Sequence, residues 1–162
     1  ASHGLFGMAF ARRHAGMCVT AVDFPSVLEV TRERVRAAGL DGQYDYLSGS
    51  AFQVELGQGY DVVLVTNLYH HFDIATCETL MRRFHAALAP GGRMLTLEAV
   101  PNEDRVSPPM PAAFAMMMLA NTPAGDAYTL SQYSAMLTET GFHGVEKRDV
   151  PRSPQQLVVA VK

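Results

Sequence analysis

The chain reads as an α/β domain of the doubly wound, Rossmann-like type, with a mostly parallel sheet and an antiparallel strand at its C-terminal end. Three observations predict this. The run Tyr60–Thr66 is apolar, lacks polar alternation and carries Val62, Val63 and Val65, the pattern of a strand covered on both faces in a parallel sheet. Strand-like and helix-like stretches alternate along the chain, as βαβ units require. The last two strand candidates, residues 145–150 and 156–161, are joined only by Pro151-Arg152-Ser153-Pro154. A link that short makes them antiparallel neighbours.

The 162 residues suffice for one domain with a real core, and 48% hydrophobic with 18% charged residues is ordinary for a globular protein. A net charge of -3 with no run of Lys or Arg leaves no electrostatic footprint for nucleic acid or an anionic membrane, so small molecules are the expected partners. Cys18 and Cys77 lack Cys-x-x-Cys spacing, which points to buried thiols rather than a disulfide scaffold or a thiolate zinc site. The most apolar window, residues 112–120, is too short to span a bilayer, and the start does not resemble a signal peptide. A soluble, cytoplasmic protein is expected.

In chain order, Ala1-Ser2-His3-Gly4-Leu5-Phe6-Gly7 opens on small residues and glycines, and Phe6, Ala9 and Phe10 carry a helical pattern over 5–14. Residues 17–23 read as a strand ending in Asp23, 26–38 as a helix stopped by Gly39, and 44–47 as a short strand before a loop with Gly49, Gly57 and Gly59. After Tyr60–Thr66, Asp73 can cap a helix over 74–88, where Ile74, Cys77, Leu80, Met81, Phe84 and Leu88 form one apolar face. Ala89-Pro90-Gly91-Gly92 stops that helix. A strand over 93–100, a proline-rich loop over 101–111 and a Met-rich helix over 112–120 follow. Thr129-Leu130-Ser131-Gln132 is a capping box opening a helix to Thr140, closed by Gly141. A glycine turn that opens a helix normally follows a strand, so a first strand is expected ahead of Ala1, and the sequence is expected to be a piece of a longer polypeptide.

In open α/β sheets ligands sit outside the carboxyl ends of the strands, which singles out Asn67, Tyr69, His70 and His71. Residues 2–7 resemble Gly-x-Gly-x-x-Gly with serine for the first glycine, and Asp23 follows at about the distance of a ribose-binding acid. Gly4 lets the backbone approach a ligand, and the Asp23 carboxylate can accept both ribose hydroxyls. The same residues also read as a tight turn and a solvated aspartate. His70 reads as a general base from its place at a strand end, or as a loop histidine bonded to backbone. Adjacent histidine side chains diverge, so no metal site is expected. Glu98 can accept from a histidine ring or bond a helix N-terminus. Met110, Met116, Met117 and Met118 read as core packing, or as an adaptable apolar wall.

Taken together, Ala1-Ser2-His3-Gly4, residues 21–27 with Asp23-x-Pro25-x-Val27, Gly49-Ser50-Ala51-Phe52, Asn67-Leu68-Tyr69-His70-His71-Phe72, Ala89-Pro90-Gly91-Gly92 and residues 118–125 resemble the class I S-adenosylmethionine-dependent O-methyltransferases. The similar branch holds plant caffeate and flavonoid enzymes and bacterial polyketide and carotenoid hydroxyl methylases. Asp-x-Pro-x-Val is the most specific element, and the resemblance covers nearly the whole chain. It implies a seven-stranded sheet with its last strand antiparallel, S-adenosylmethionine as cofactor, and metal-free methyl transfer to a hydroxyl of an apolar small molecule. It makes Gly4 the last glycine of the cofactor loop, Asp23 the ribose acid, Ser50, Ala51 and Phe52 the adenine wall, and Asn67 a further cofactor contact. His70 falls on the base, Glu98 on a carboxylate orienting it, and Met118 and Thr122 on substrate contacts. This sequence departs from the family's pattern at Ser50 for an adenine-side acid, Thr66 for a lysine, Ala127 (beside Asp126) for a second orienting glutamate, and His71 for an aspartate. The resemblance also implies a preceding winged-helix-like dimerisation domain and a full-length homodimer. A chain lacking that domain and the central first strand is expected to be aggregation-prone or poorly cooperative in unfolding when expressed alone. Two other readings use the same residues: an NAD-dependent oxidoreductase built on Gly4 and Asp23, and a non-catalytic S-adenosylmethionine-binding or assembly module, suggested by Ser50, Thr66 and Ala127.

Overall fold

At Gly4 the backbone takes φ +75°, a conformation that strains a residue bearing a Cβ, and turns into α1 (Leu5–Arg13). The computed structural model describes residues 2–162, which fall into two units, one up to Leu56 and one over Gly57–Lys162. In the first unit α1 is followed by β1 (Val19–Asp23), α2 (Pro25–Ala37) and β2 (Tyr44–Ser48). β1 and β2 pair in parallel, from Val19 opposite Tyr44 to Asp23 opposite Ser48, with α2 as the crossover a parallel pair needs. Pro25 occupies the first turn of α2, where its missing N–H has no partner to lose. Leu28, Thr31 and Val35, spaced by three and four, form the buried face of α2. Leu28 and Val35 join Met8, Ala11, Ala21, Leu40 and Tyr44 in one core cluster.

The second unit contains β3 (Tyr60–Thr66), α3 (Ile74–Ala87), β4 (Leu88–Glu98), α4 (Pro109–Asn121), α5 (Leu130–Glu139), β5 (His143–Asp149) and β6 (Gln156–Val161). Its strands lie in the order β3-β4-β6-β5. β3 and β4 are parallel, and β6 is antiparallel to both its neighbours. β3, β4 and β5 thus share one direction and β6 alone opposes them. The apolar face of α3 is buried through Cys77, Leu80, Met81, Phe84 and Ala87, while Asp73 caps the helix by accepting from Thr76 N at 2.8 Å. Thr129 and Gln132 form the reciprocal capping box at the start of α5. Among the described residues no helix is long and apolar enough to cross a membrane.

Among the described residues the strands form two sheets, with β1 and β3 each at the end of one. Several local expectations are corrected. β3 is not covered along its whole length: Val65 is buried, whereas Val62 is 37% exposed. β4 begins at Leu88, already opposite Tyr60; residues 89–92 then bulge out before Arg93 resumes opposite Val62. α4 begins at Pro109, inside the segment expected as loop, because prolines in a first turn forfeit no helical hydrogen bond. The methionine cluster is core only at Met118; Met110, Met116 and Met117 are exposed, since α4 is apolar all round and buries one side. Of the two thiols, Cys77 is buried and Cys18, just ahead of β1, is exposed. Burial pushes the Cys77 thiol up to about 12, which leaves it unreactive.

Candidate active site

The first unit gathers one set of predicted residues at the carboxyl ends of β1 and β2. Ser2 N donates to Asp23 Oδ2 at 2.8 Å and Phe24 N to Asp23 Oδ1 at 2.9 Å. The turn is anchored by Thr31 Oγ1 donating to Ser2 O at 2.6 Å and Tyr44 Oη donating to Gly4 O at 3.3 Å. A Cβ on Gly4 would lie 2.8 Å from Thr31 Cγ2, so space as well as φ demands glycine. Gly49 N donates to Asp23 O at 2.9 Å and draws the turn after β2 to the same end. In that turn Ser50 O accepts from Gln53 N and Val54 N, and Ser50 Oγ from Phe52 N at 3.3 Å. Gly4, Asp23, Ser50, Ala51 and Phe52 are thereby brought together. A strand-end carboxylate is acceptor-only, the kind of group that receives hydrogen bonds from the vicinal hydroxyls of a nucleoside.

The second unit holds the other predicted residues. Asn67 follows β3 at φ +54°, its N–H donating to Leu97 O at 3.0 Å and its Oδ1 accepting from Gln155 Nε2. Tyr69–His71 then form a single 3-10 turn, which no periodicity predicts. That turn separates the histidines: His70 is 5% exposed and His71 faces solvent, with ring centroids 4.2 Å apart. β4 runs parallel to β3 with Leu97 opposite Thr66, so the next residue, Glu98, reaches the turn. Glu98 is 1% exposed; its Oε1 accepts from Leu68 N at 2.7 Å and Tyr69 N at 3.0 Å, and its Oε2 lies 2.6 Å from His70 Nδ1. An acceptor at that distance makes Nδ1 the donor and leaves the lone pair on Nε2, the arrangement of a ring that can take up a proton.

Phe114 of α4 stands edge-on to the His70 ring, centroids 4.9 Å apart at 89°. Met118 lies four residues further along α4 and is buried. Thr122 Oγ1 donates to Met118 O at 2.8 Å and accepts from Gly125 N at 2.7 Å, so its hydroxyl shapes the turn after α4. The Asp126 carboxylate is engaged by Arg105 Nη2 at 2.6 and 2.7 Å, and Ala127 is buried. Phe114, Arg105 and Gly125 escaped sequence reasoning. The signal for Phe114 was its four-residue spacing from Met118, whereas the contacts of Arg105 and Gly125 leave no local trace.

Desolvation, reinforced by the His70 ring, holds the pKa of His71 below the ordinary histidine value; desolvation and Lys162 do the same for His85. The unfolded chain therefore binds more protons at both sites once pH falls below about 6.5. Stability should drop as pH falls from there toward the folded-state values. Urea midpoints between about pH 7.5 and 5.5 test this, with His85→Gln expected to flatten part of the slope. A midpoint that rises on acidification contradicts it.

Residues 3–143 match the family model of the O-methyltransferase domain. Over 130 residues the chain is 32% identical to 3-hydroxy-5-methyl-1-naphthoate 3-O-methyltransferase of Streptomyces sahachiroi, which covers 80% of this chain and 37% of that protein. Over 151 residues it is 27% identical to the tetracenomycin polyketide synthesis 8-O-methyl transferase TcmO of Streptomyces glaucescens, covering 93% of this chain and 44% of that one. Among solved structures, a candidate O-methyltransferase from Nostoc punctiforme PCC 73102 is 46% identical with a TM-score of 0.98, over 100% of this chain and 50% of that chain. The chain spans about half or less of the length of these proteins. By the extent of the family match, and in agreement with its mixed α/β architecture, the chain belongs to the O-methyltransferase domain family.

Proposed function

We propose that this chain serves an enzyme that moves a methyl group from S-adenosylmethionine to a hydroxyl of an apolar small molecule, with His70 as general base. The observation that carries the reading is the buried His70–Glu98 pair, in which Nδ1 meets the carboxylate at 2.6 Å and Nε2 is left to accept. S-adenosylmethionine supplies a methyl already activated by its sulfonium, so the protein's tasks are position, exclusion of water and removal of one proton. The Gly4 turn and Asp23 hold the nucleoside, Asp23 accepting from ribose hydroxyls, while Ser50, Ala51 and Phe52 wall the adenine and Asn67 adds a contact. His70 Nε2 takes the hydroxyl proton as the acceptor oxygen gains the methyl. Glu98 keeps the ring in the accepting tautomer and stabilises the imidazolium that forms. Met118, Thr122 and Phe114 belong to the acceptor side. The names of the naphthoate and polyketide relatives support a hydroxylated, largely apolar acceptor. A cytoplasmic homodimer completes the reading.

Asp23→Ala tests the cofactor half. Loss of hydrogen bonds to a charged acceptor should weaken S-adenosylhomocysteine binding by roughly 1.5 to 3 kcal/mol, about ten- to a hundred-fold, measured by calorimetry. Unchanged affinity would remove Asp23 from the site. A thermal shift with S-adenosylhomocysteine and none with NAD separates this reading from a nicotinamide-dependent one. Binding without methyl transfer to any of a broad panel of phenols favours a non-catalytic module, a reading that the buried Ala127 keeps in view.

A further inference from the structure

His70 is gripped from two directions, and only one of them is the Glu98 carboxylate on its ring. On the backbone side, Asp126 N donates to His70 O at 3.1 Å. Gly125 makes that approach possible. A Cβ there would run into His70 O and Thr122 Oγ1 and lie 3.1 Å from His71 C, although its φ is not in the left-handed region. The requirement at Gly125 is therefore space against the backbone of the two histidines.

Arg105 holds the same segment in place. Its Nη2 bridges both Asp126 carboxylate oxygens at 2.6 and 2.7 Å, and its Nη1 donates to Gln132 Oε1 at 3.2 Å, the atom that also accepts from Thr129 N in the α5 cap. Arg105 sits at φ +57° in a turn built by Asp104, whose Oδ1 accepts from Val106 N at 3.0 Å and Ser107 N at 2.9 Å. A non-glycine residue at positive φ is uncommon, and one held there by its neighbours marks a site where side-chain direction matters. The side chains of Arg105 and Asp126 are 40% and 32% exposed, so their ion pair adds little to stability. What it fixes is where the Asp126 N–H lies.

We infer that Arg105 and Gly125 are positioning residues for His70: the Arg105–Asp126 pair and the bare Cα of Gly125 seat the Asp126 N–H on the His70 carbonyl. The inference rests on the reading of His70 as base. Glu98 ends β4 and Arg105 lies in the loop that leaves it, so the strand end holds the ring and the loop, through Asp126, holds the backbone of the base. A displacement of about 1 Å at a reacting group is worth up to about a hundred-fold in rate.

Gly125→Ala, Arg105→Ala and Arg105→Lys, compared with the parent protein and His70→Ala, test this. Each is assayed for kcat and KM, for S-adenosylhomocysteine affinity, and by proton NMR for the downfield His70 Nδ1–H resonance. Gly125→Ala should lower kcat at least ten-fold with cofactor affinity within about two-fold, and shift or broaden that resonance. Arg105→Ala should do the same less strongly, and Arg105→Lys, whose ammonium can also bridge two oxygens, should recover most of the loss. If Gly125→Ala does not fold, the Arg105 pair decides. A slow His70→Ala beside Gly125→Ala and Arg105→Ala that keep parental kcat and resonance overturns the positioning role alone. A His70→Ala variant as fast as the parent overturns the base reading, whatever the other variants do.

Discussion

Replacing His70 with alanine should lower turnover by roughly a hundred- to ten-thousand-fold, the range of a lost general base, with S-adenosylhomocysteine affinity nearly intact. The reason lies in the hydrogen bond at 2.6 Å to Glu98, which commits Nδ1 as donor and reserves Nε2 for a substrate proton. His71→Ala should do less, because its ring is exposed where that of His70 is buried against Glu98. With a phenolic acceptor the loss in His70→Ala should shrink as pH approaches about 10, where solvent supplies the phenolate. Initial rates from pH 7 to 10 check both points. Equal rates for His70→Ala and the parent protein at neutral pH would mean that positioning alone drives the reaction, or that His71 is the base.

Glu98→Gln should be almost as damaging to rate while sparing the fold. The amide oxygen must face Leu68 N and Tyr69 N, since an amide nitrogen there would oppose two donors. Its NH2 then points at His70 Nδ1, which must become an acceptor, and the ring proton moves to Nε2. A base presented in the wrong tautomer loses up to about ten-thousand-fold in the comparable Ser-His-Asp case, so a fall of roughly a hundred- to ten-thousand-fold is expected. Glu98→Ala differs in kind. It leaves two backbone N–H groups and a buried ring without their acceptor, and should destabilise the protein by about 3 to 5 kcal/mol. Urea unfolding beside initial rates separates the two effects. A Gln variant with parental turnover would show that the tautomer is set elsewhere.

The parts legible in the sequence were those written in local patterns. The apolar run of β3, the stripe on α3 with its Asp73 cap, the Thr129–Gln132 box and the short link before β6 report hydrogen bonds and faces spanning a few residues, so periodicity and end signals suffice. Motif spacing likewise led to Gly4 and Asp23, because a turn and the strand end it meets are separated by one helix and one strand. Tertiary structure decided the rest. The resemblance and the strand-end positions named His70 and Glu98, 28 residues apart, but left open whether Glu98 meets the ring or a helix N-terminus. Their contact exists because β3 and β4 are parallel with Thr66 opposite Leu97, and a shift of one residue would turn Glu98 to the other face. Burial of His70 and exposure of His71 follow from a 3-10 turn too short to leave a pattern. Which methionines of α4 are covered depends on the side the helix presents, and an all-apolar helix carries no stripe to declare it. Arg105 and Asp126, 21 residues apart, find each other only through the course of a loop, which no periodicity describes.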